Sequence, residues 1–156
     1  MRWKALLERW KLNSLKLNLQ FLEAEFTPSK QDKNAAWQLY IELITRVTTQ
    51  ALPADSGDEK RALTSVYELF DLTRGIIKDS GPECIEFAKI AVVVLNQVVR
   101  PFTAKWHKES LAGAFNDAAK CKAFRQELEA LQQQLSDYAG MLSELAGVED
   151  LRNFEI

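Results

Sequence analysis

"CKAFRQELEALQQQLSDYAGMLSELAG" (residues 121–147) decides the fold class. Its residues Cys121, Phe124, Leu128, Leu131, Leu135, Tyr138, Leu142 and Leu145 step by 3, 4, 3, 4, 3, 4 and 3. This is an a/d seam sustained over more than three heptads, the pattern of a helix with one buried stripe. The spacing predicts one long helix over 117–146, about 45 Å long at ~1.5 Å per residue. Asn116 is its expected N-cap and Gly147 its expected stop. Its outer face, "QELEALQQQ" (126–134), is polar and strongly helix-forming.

Upstream, "IAVVVLNQVV" (90–99) is apolar on nearly every side. A helix of that kind belongs at the centre of an assembly, and we expect it to run over 82–110. Pro101 interrupts it. Proline has no N–H to offer the Gln97 carbonyl and its ring crowds that same group, so a kink is expected there. A helix from 59 onward is marked by Leu63, Val66, Tyr67, Phe70 and Ile77 on its inner face, with Ser56 and Glu59 as a capping box. Gly75 weakens it or lets another helix come close. "DSGP" (79–82) ends it, and Ser80 with Glu83 forms a second capping box around Pro82. Another helix is expected over 33–51, capped by Asp32, with Trp37, Tyr40, Ile41, Ile44 and Val47 inward.

The N-terminal segment reads two ways. "LKLNLQF" (15–21) alternates like a strand, yet Leu12, Leu15, Leu19, Leu22 and Phe26 step by 3, 4, 3 and 4. Trp3, Leu7, Trp10, Leu17 and Phe21 form a second stripe beside them. The heptad covers more residues, so one helix ending by Thr27, before Pro28, is expected. The sum is an all-α chain, an up-and-down antiparallel bundle of four to five helices over 1–147. Residues 148–156 form an acidic, mixed tail that could dock on the bundle as an extended segment or be captured by another protein, with fraying the preferred expectation.

The totals bound the function. A chain of 156 residues suits one domain with a real core. The net charge of −2 argues against a dedicated nucleic-acid binder. Cys84 and Cys121 are too few for a disulfide scaffold and, with a single histidine, make no zinc site. They read as reduced thiols in a cytoplasmic protein, although one Cys84–Cys121 bridge stays open. Charges interrupt the apolar residues of "MRWKALLERWKL" (1–12), unlike a signal peptide. The uncharged run Ile90–Val99 has 10 residues, against the ~20 that a membrane span needs. No HExxH, GxSxG, phosphate-binding loop or paired-aspartate pattern occurs. No cofactor or metal is expected, and the chain is expected not to be an enzyme.

Three places could carry function. Asn96 and Arg100 lie four apart just before Pro101, and Lys105 and His107 follow it. With Arg74, they could hold a nucleotide or other anion in a pocket at the kink. Glu109 is two residues from His107, off its helix face, so His107 shows no catalytic partner. Second, residues 1–16 carry Arg2, Lys4, Arg9, Lys11 and Lys16 against Glu8 alone, beside Trp3, Leu6, Leu7 and Trp10. Such a segment can lie on a membrane surface or dock on an acidic partner; the other reading, favoured because the apolar pattern runs on into Leu12–Phe26, is that it forms the first turns of a bundle helix with Trp inward and Lys outward. Third, the 121–145 seam could pair with its copy in a homodimer. Trp3, Trp10 and Trp106 are the candidate partner-binding residues, since exposed tryptophans dominate interfaces.

The leading expectation is a non-enzymatic helical interaction module, an accessory or adaptor subunit that binds a protein partner. A small-ligand sensor and peripheral membrane attachment are the alternatives. "VLNQVVRPFTAKWHKES" (94–110) resembles a segment of small, uncharacterised, all-helical bacterial proteins, some from defence or signalling loci. The resemblance covers about a tenth of the chain and brings no activity with it. It implies a bacterial cytosolic accessory protein, and it singles out Arg100, Pro101, Lys105, Trp106 and His107.

Overall fold

The computed structural model describes residues 1–46 and 58–153. Their regular structure is helical, and the one β-type pairing among them is an isolated antiparallel bridge, Arg2 to Glu25. The helices are α1 (Trp3–Arg9), α2 (Leu19–Glu23), α3 (Lys30–Ile44), α4 (Glu59–Tyr67), α5 (Leu69–Ser80), α6 (Ile85–Val94), α7 (Arg100–Leu111) and α8 (Ala118–Ala146).

The long seam forms as expected. α8 starts one residue later than expected, capped by Asp117, whose carboxylate accepts from the Ala119 N–H at 2.9 Å. It ends where Gly147 turns to φ 73°. There Val148 N–H reaches Ser143 O at 3.0 Å and Gly147 N–H reaches Glu144 O at 3.1 Å, the paired bonds of a Schellman motif. Phe124, Leu128, Leu131, Leu135, Tyr138, Leu142 and Leu145 are buried by the chain's own helices. Seven of the eight seam residues are therefore packed within the chain, and Cys121 is half-buried.

α8, not the apolar 90–99 run, occupies the centre. Ala139, Gly140, Met141 and Ser143 are buried as well as the seam, so its C-terminal half is enclosed on several sides. Ile85 and Val92 of α6, by contrast, are exposed. α3 packs along α8 more extensively than any other pair of helices. The face α3 uses is rotated from the expected one. Ala35, Ala36, Leu39, Tyr40 and Leu43 point inward, whereas Trp37 is 41% exposed and Val47 lies outside the described residues. Small side chains fill this inward face at Ala35 and Ala36, while the large Trp37 ring stays at the surface.

Caps and breaks account for the other differences. Ser29, not Asp32, is the N-cap of α3; Asp32 sits three residues on and completes the capping box. Asp32 is itself buried, and its second oxygen accepts from the Phe87 N–H at 2.9 Å in the first turn of α6. One carboxylate thus caps two helices. Asp58 caps α4, accepting from Lys60 N–H at 2.9 Å and Arg61 N–H at 3.2 Å. Ser56, expected in that role, lies outside the described residues. Ser80 closes α5 rather than capping the next helix, and Gly81, at φ 81°, leads into a 3₁₀ turn, Pro82–Cys84. A Cβ on Gly75 would meet nothing within 4 Å, so no helix packs closely there.

The expected helix over 3–26 is not one helix. α1 stops at Arg9, because Lys11 adopts the left-handed conformation at φ 59°. Leu12 N–H then bonds Leu7 O at 2.8 Å and Lys11 N–H bonds Glu8 O at 3.2 Å, a Schellman motif without glycine. Leu7 and Leu12 are both buried, and this apolar contact offsets the roughly 1–2 kcal/mol that the left-handed conformation costs a lysine. A short second helix, α2, follows under an Asn18 cap that accepts from Phe21 N–H at 2.8 Å.

The tail does not fray over its described part, residues 148–153. Arg152 donates to the Ser136 carbonyl at 2.8 Å and pairs with Asp150 at 2.8 Å. Leu151 donates its N–H to the Tyr40 hydroxyl. Cys84 is buried and Cys121 half-buried; both are free, and burial raises both thiols above their ordinary range, so neither is a ready nucleophile.

One core group has no partner. The Tyr138 hydroxyl is buried and makes no hydrogen bond among the described residues. Leaving such a group unsatisfied costs about 1–3 kcal/mol. Tyr138→Phe is therefore expected to raise stability by about 1 kcal/mol, or about 2–4 °C in Tm at this size. Burial also pushes the Tyr138 hydroxyl up, favouring its neutral form in the folded chain. Its contribution is thus complete below the unfolded value of about 10 and is lost as pH rises beyond it. Urea titrations at neutral pH and above pH ~10 check both points. An unchanged or lowered midpoint for Tyr138→Phe would contradict them.

Candidate functional site

The proline does not break its helix. α6 passes into α7 through a π-helical turn, Leu95–Val99, in which the Arg100 N–H bonds to Leu95 O, five residues back. The turn takes up the mismatch that Pro101 creates, and such turns often lie beside functional sites. The Thr103 hydroxyl bridges the Val99 and Arg100 carbonyls at 3.3 and 3.2 Å. Gln97, which sequence reasoning left out, reaches away to the N-terminal segment. Its amide accepts from Lys16 N–H and donates to Lys16 O, both at 2.8 Å.

After this turn, one face of α7 presents Arg100, Thr103, Ala104, His107, Ser110 and Leu111. The wall opposite carries Lys60, Leu63, Thr64, Tyr67, Phe70 and Arg74 from α4 and α5. Between them runs a groove of about 580 Å³, inside the ~300–1,000 Å³ usual for ligand sites. The Arg100 guanidinium lies over the Phe70 ring at 4.7 Å, and its Nε donates to Asn96 Oδ1 at 3.2 Å. Arg74 pairs with Asp71 of its own helix. Among the described residues no carboxylate pairs with Arg100 or Lys60, and none lines the groove. Tyr67 and Leu111, 60% and 78% exposed, form apolar rims.

The expected anion site is thus partly assembled. Arg74, Arg100 and His107 converge on the groove. Asn96 stays outside it, holding Arg100 from one turn back. Lys105 is on another face, paired with Glu127 at 2.6 Å. Lys60, Tyr67, Phe70 and Leu111 were missed. The i, i+3, i+4, i+7 series from Arg100 would have found the α7 wall, but Tyr67 was assigned inward and no local pattern pairs α4 with α7.

The tryptophan and N-terminal expectations are corrected. Trp3 and Trp106 are fully buried. Trp106 packs against Phe115 and Phe124, with centroids 6.1 and 5.2 Å away. Trp10 is half-buried between Gly140 and Arg152, its Nε1 donating to Glu144 at 3.1 Å. None of these three is a free interface ring. Leu6 and Leu7 are buried too, so residues 1–16 turn their apolar face into the core rather than toward a bilayer. Among the described residues, no helix is long and apolar enough to cross a membrane. No group of three His, Cys, Asp or Glu among them could hold a metal ion.

Two other concavities are less suited to ligands. The α3–α5 groove, about 550 Å³, is edged by Glu42, Asp71 and Asp79 with Trp37 beside them. The α2–α6 surface, about 680 Å³, is mostly apolar, and the Glu86 carboxylate on it already accepts from Trp3. No protein-family model matches this chain, and neither the curated proteins nor the solved structures contain a significant match.

Proposed function

We propose that this chain is a non-enzymatic binding module whose α4–α7 groove takes a ligand with an anionic group on an apolar body. The observation that carries the reading is the lining itself: Lys60, Arg74, Arg100 and His107 with no carboxylate among the described lining residues, over Leu63, Phe70 and Tyr67. Cations beside aromatic faces favour an anion that brings apolar surface with it. Thr64, Thr103 and Ser110 add hydroxyls that can accept or donate. The reading treats the chain as an accessory subunit in the cytoplasm, where free thiols persist. It also takes α3, α5, α6–α7 and α8 as the rods of an up-and-down antiparallel bundle.

A fluorescent amphipathic anion, 8-anilinonaphthalene-1-sulfonate, tests it. Saturable binding is expected, weakened about tenfold (about 1.4 kcal/mol) by the double change Arg74→Ala/Arg100→Ala. Added salt should weaken it as well. Lys105→Ala, off the groove, should leave it unchanged. Equal affinity in the wild type and the double variant would defeat the proposal.

A further inference from the structure

Resting on that reading, we infer that the groove's occupant is a helix of a protein partner, amphipathic and acidic, rather than a small metabolite. The first argument is shape. α7 contributes groove residues from Arg100 to Leu111, at every turn, over about 16 Å at ~1.5 Å per residue. The opposite wall runs from Lys60 to Arg74 along α4 and the start of α5, also with a lining residue at every turn. Facing helical walls that expose such stripes over about three turns leave a trough for a further rod, the helix-in-groove mode of recognition. A compact metabolite would fill one part of that length and leave the rest wet.

The second argument is the apolar surface. Leu111 and Tyr67 remain largely exposed on the two rims, while Leu63 and Phe70 are buried below. Ala104 and Ser110 on α7 are small and let a neighbouring backbone come near. A docked helix with an apolar stripe at i, i+3 or i+4, and i+7 covers both rims together.

The third argument is charge. Arg100 sits over Phe70, with Arg74 one turn further along the same wall, so two cations mark one end. Lys60 lies ten positions before Phe70, near the other end, and His107 stands between. Asp71, which pairs with Arg74, lies outside the lining. The complement is a helix with Asp or Glu in its first and last turns and Leu or Phe between them. Acids in a first turn also suit the helix dipole. With a net charge of −2, the chain as a whole repels acidic polymers, so the attraction is confined to this trough.

The test displays peptides of about 14 residues, roughly four helical turns, to the immobilised full-length chain. Enrichment of sequences with an apolar i, i+3/i+4, i+7 stripe and terminal acids is expected. The best peptide should displace 8-anilinonaphthalene-1-sulfonate. In fluorescence anisotropy, Arg74→Glu/Arg100→Glu should weaken it at least about thirtyfold, with an unchanged circular-dichroism spectrum. Lys105→Glu should have no effect, and proline in the middle of the peptide should abolish binding. If the sulfonate probe binds through Arg74 and Arg100 but no selected peptide competes, the helical partner is wrong and the anion groove stands. If the probe itself ignores Arg74 and Arg100, both readings fall. Binding that survives the central proline, or Arg-dependent sedimentation with phosphatidylserine vesicles and no competing peptide, overturns the helix as well.

Discussion

Truncating Trp3 to alanine is expected to cost the fold about 3–5 kcal/mol, the range for removing a fully buried large aromatic ring. Trp3 is 0% exposed. Its ring stacks on Phe21 at 4.8 Å and meets Phe26 edge-on at 5.0 Å, while its indole N–H donates to Glu86 at 3.1 Å. One side chain therefore joins α1, the α2 segment and α6. The backbone seconds it, since Trp3 N–H bonds Ala24 O at 3.0 Å. At this chain length the loss amounts to roughly 6–20 °C in Tm. Trp3→Phe keeps the ring stack and gives up the hydrogen bond, so about 1 kcal/mol beyond the lost area is expected. Urea titration followed by circular dichroism separates the two variants. A Trp3→Ala cost under about 1 kcal/mol would mean that the ring serves an exterior surface, as the sequence had led us to expect.

Gly140→Ala is the second large effect. A Cβ there would stand 2.4 and 2.6 Å from two Trp10 ring carbons and 2.8 Å from the Arg152 guanidinium carbon. Gly140 is inside α8 and its helical backbone needs no glycine; the missing Cβ makes room for the Trp10 ring and the Arg152 guanidinium stacked on it. Overpacking of this kind costs about 1–3 kcal/mol. Relief by swinging Trp10 out would break its bond to Glu144 and lift Arg152 from its ring face, 5.3 Å from the centroid. Arg9, which grips Glu144 at 2.9 Å, would be left as the main tie of α1 to α8 at this point. The diagnostic is a double-mutant cycle. Trp10→Ala/Gly140→Ala should cost no more than Trp10→Ala alone, because the ring clash has gone, only the flexible Arg152 end still meets the Cβ, and alanine is the better helix former. Additive costs would show that Gly140 acts through something other than the Trp10 contact.

These two sites also mark where the sequence was legible and where it was not. α8 was readable because its seam is long, regular and bounded by a glycine stop, so one period explains the stripe from Phe124 to Leu145, though not the further burial of Ala139, Gly140, Met141 and Ser143. The joined α6–α7 rod was readable from its apolar run, and the disturbance before Pro101 from the missing N–H. α1 was not. Its stop at Lys11 carries no glycine and no proline; it is held by burial of Leu7 and Leu12, and burial is a property of the whole chain. The inner face of α3 was misjudged because bulk was taken for burial, while the small Ala35 and Ala36 are the residues buried there. The candidate groove was half legible. Arg100 and His107 flank Pro101 on one helix face, and Arg74 brings a further cation; these three line the same groove. Asn96 and Lys105 also flank Pro101 but lie outside it.

Local periodicity and capping chemistry by themselves determined that this chain is helical, where its longest rod begins and ends, and which stripe of that rod is buried. Those properties depend on interactions between residues three and four apart, which a linear sequence displays directly. Only the tertiary structure decided that α8 and not the apolar 90–99 run lies at the centre, that Trp3 and Trp106 are core, and that α4 faces α7 across a cationic trough. Each of these depends on which helix faces which, and that is settled by the summed packing of distant side chains rather than by any neighbour along the chain.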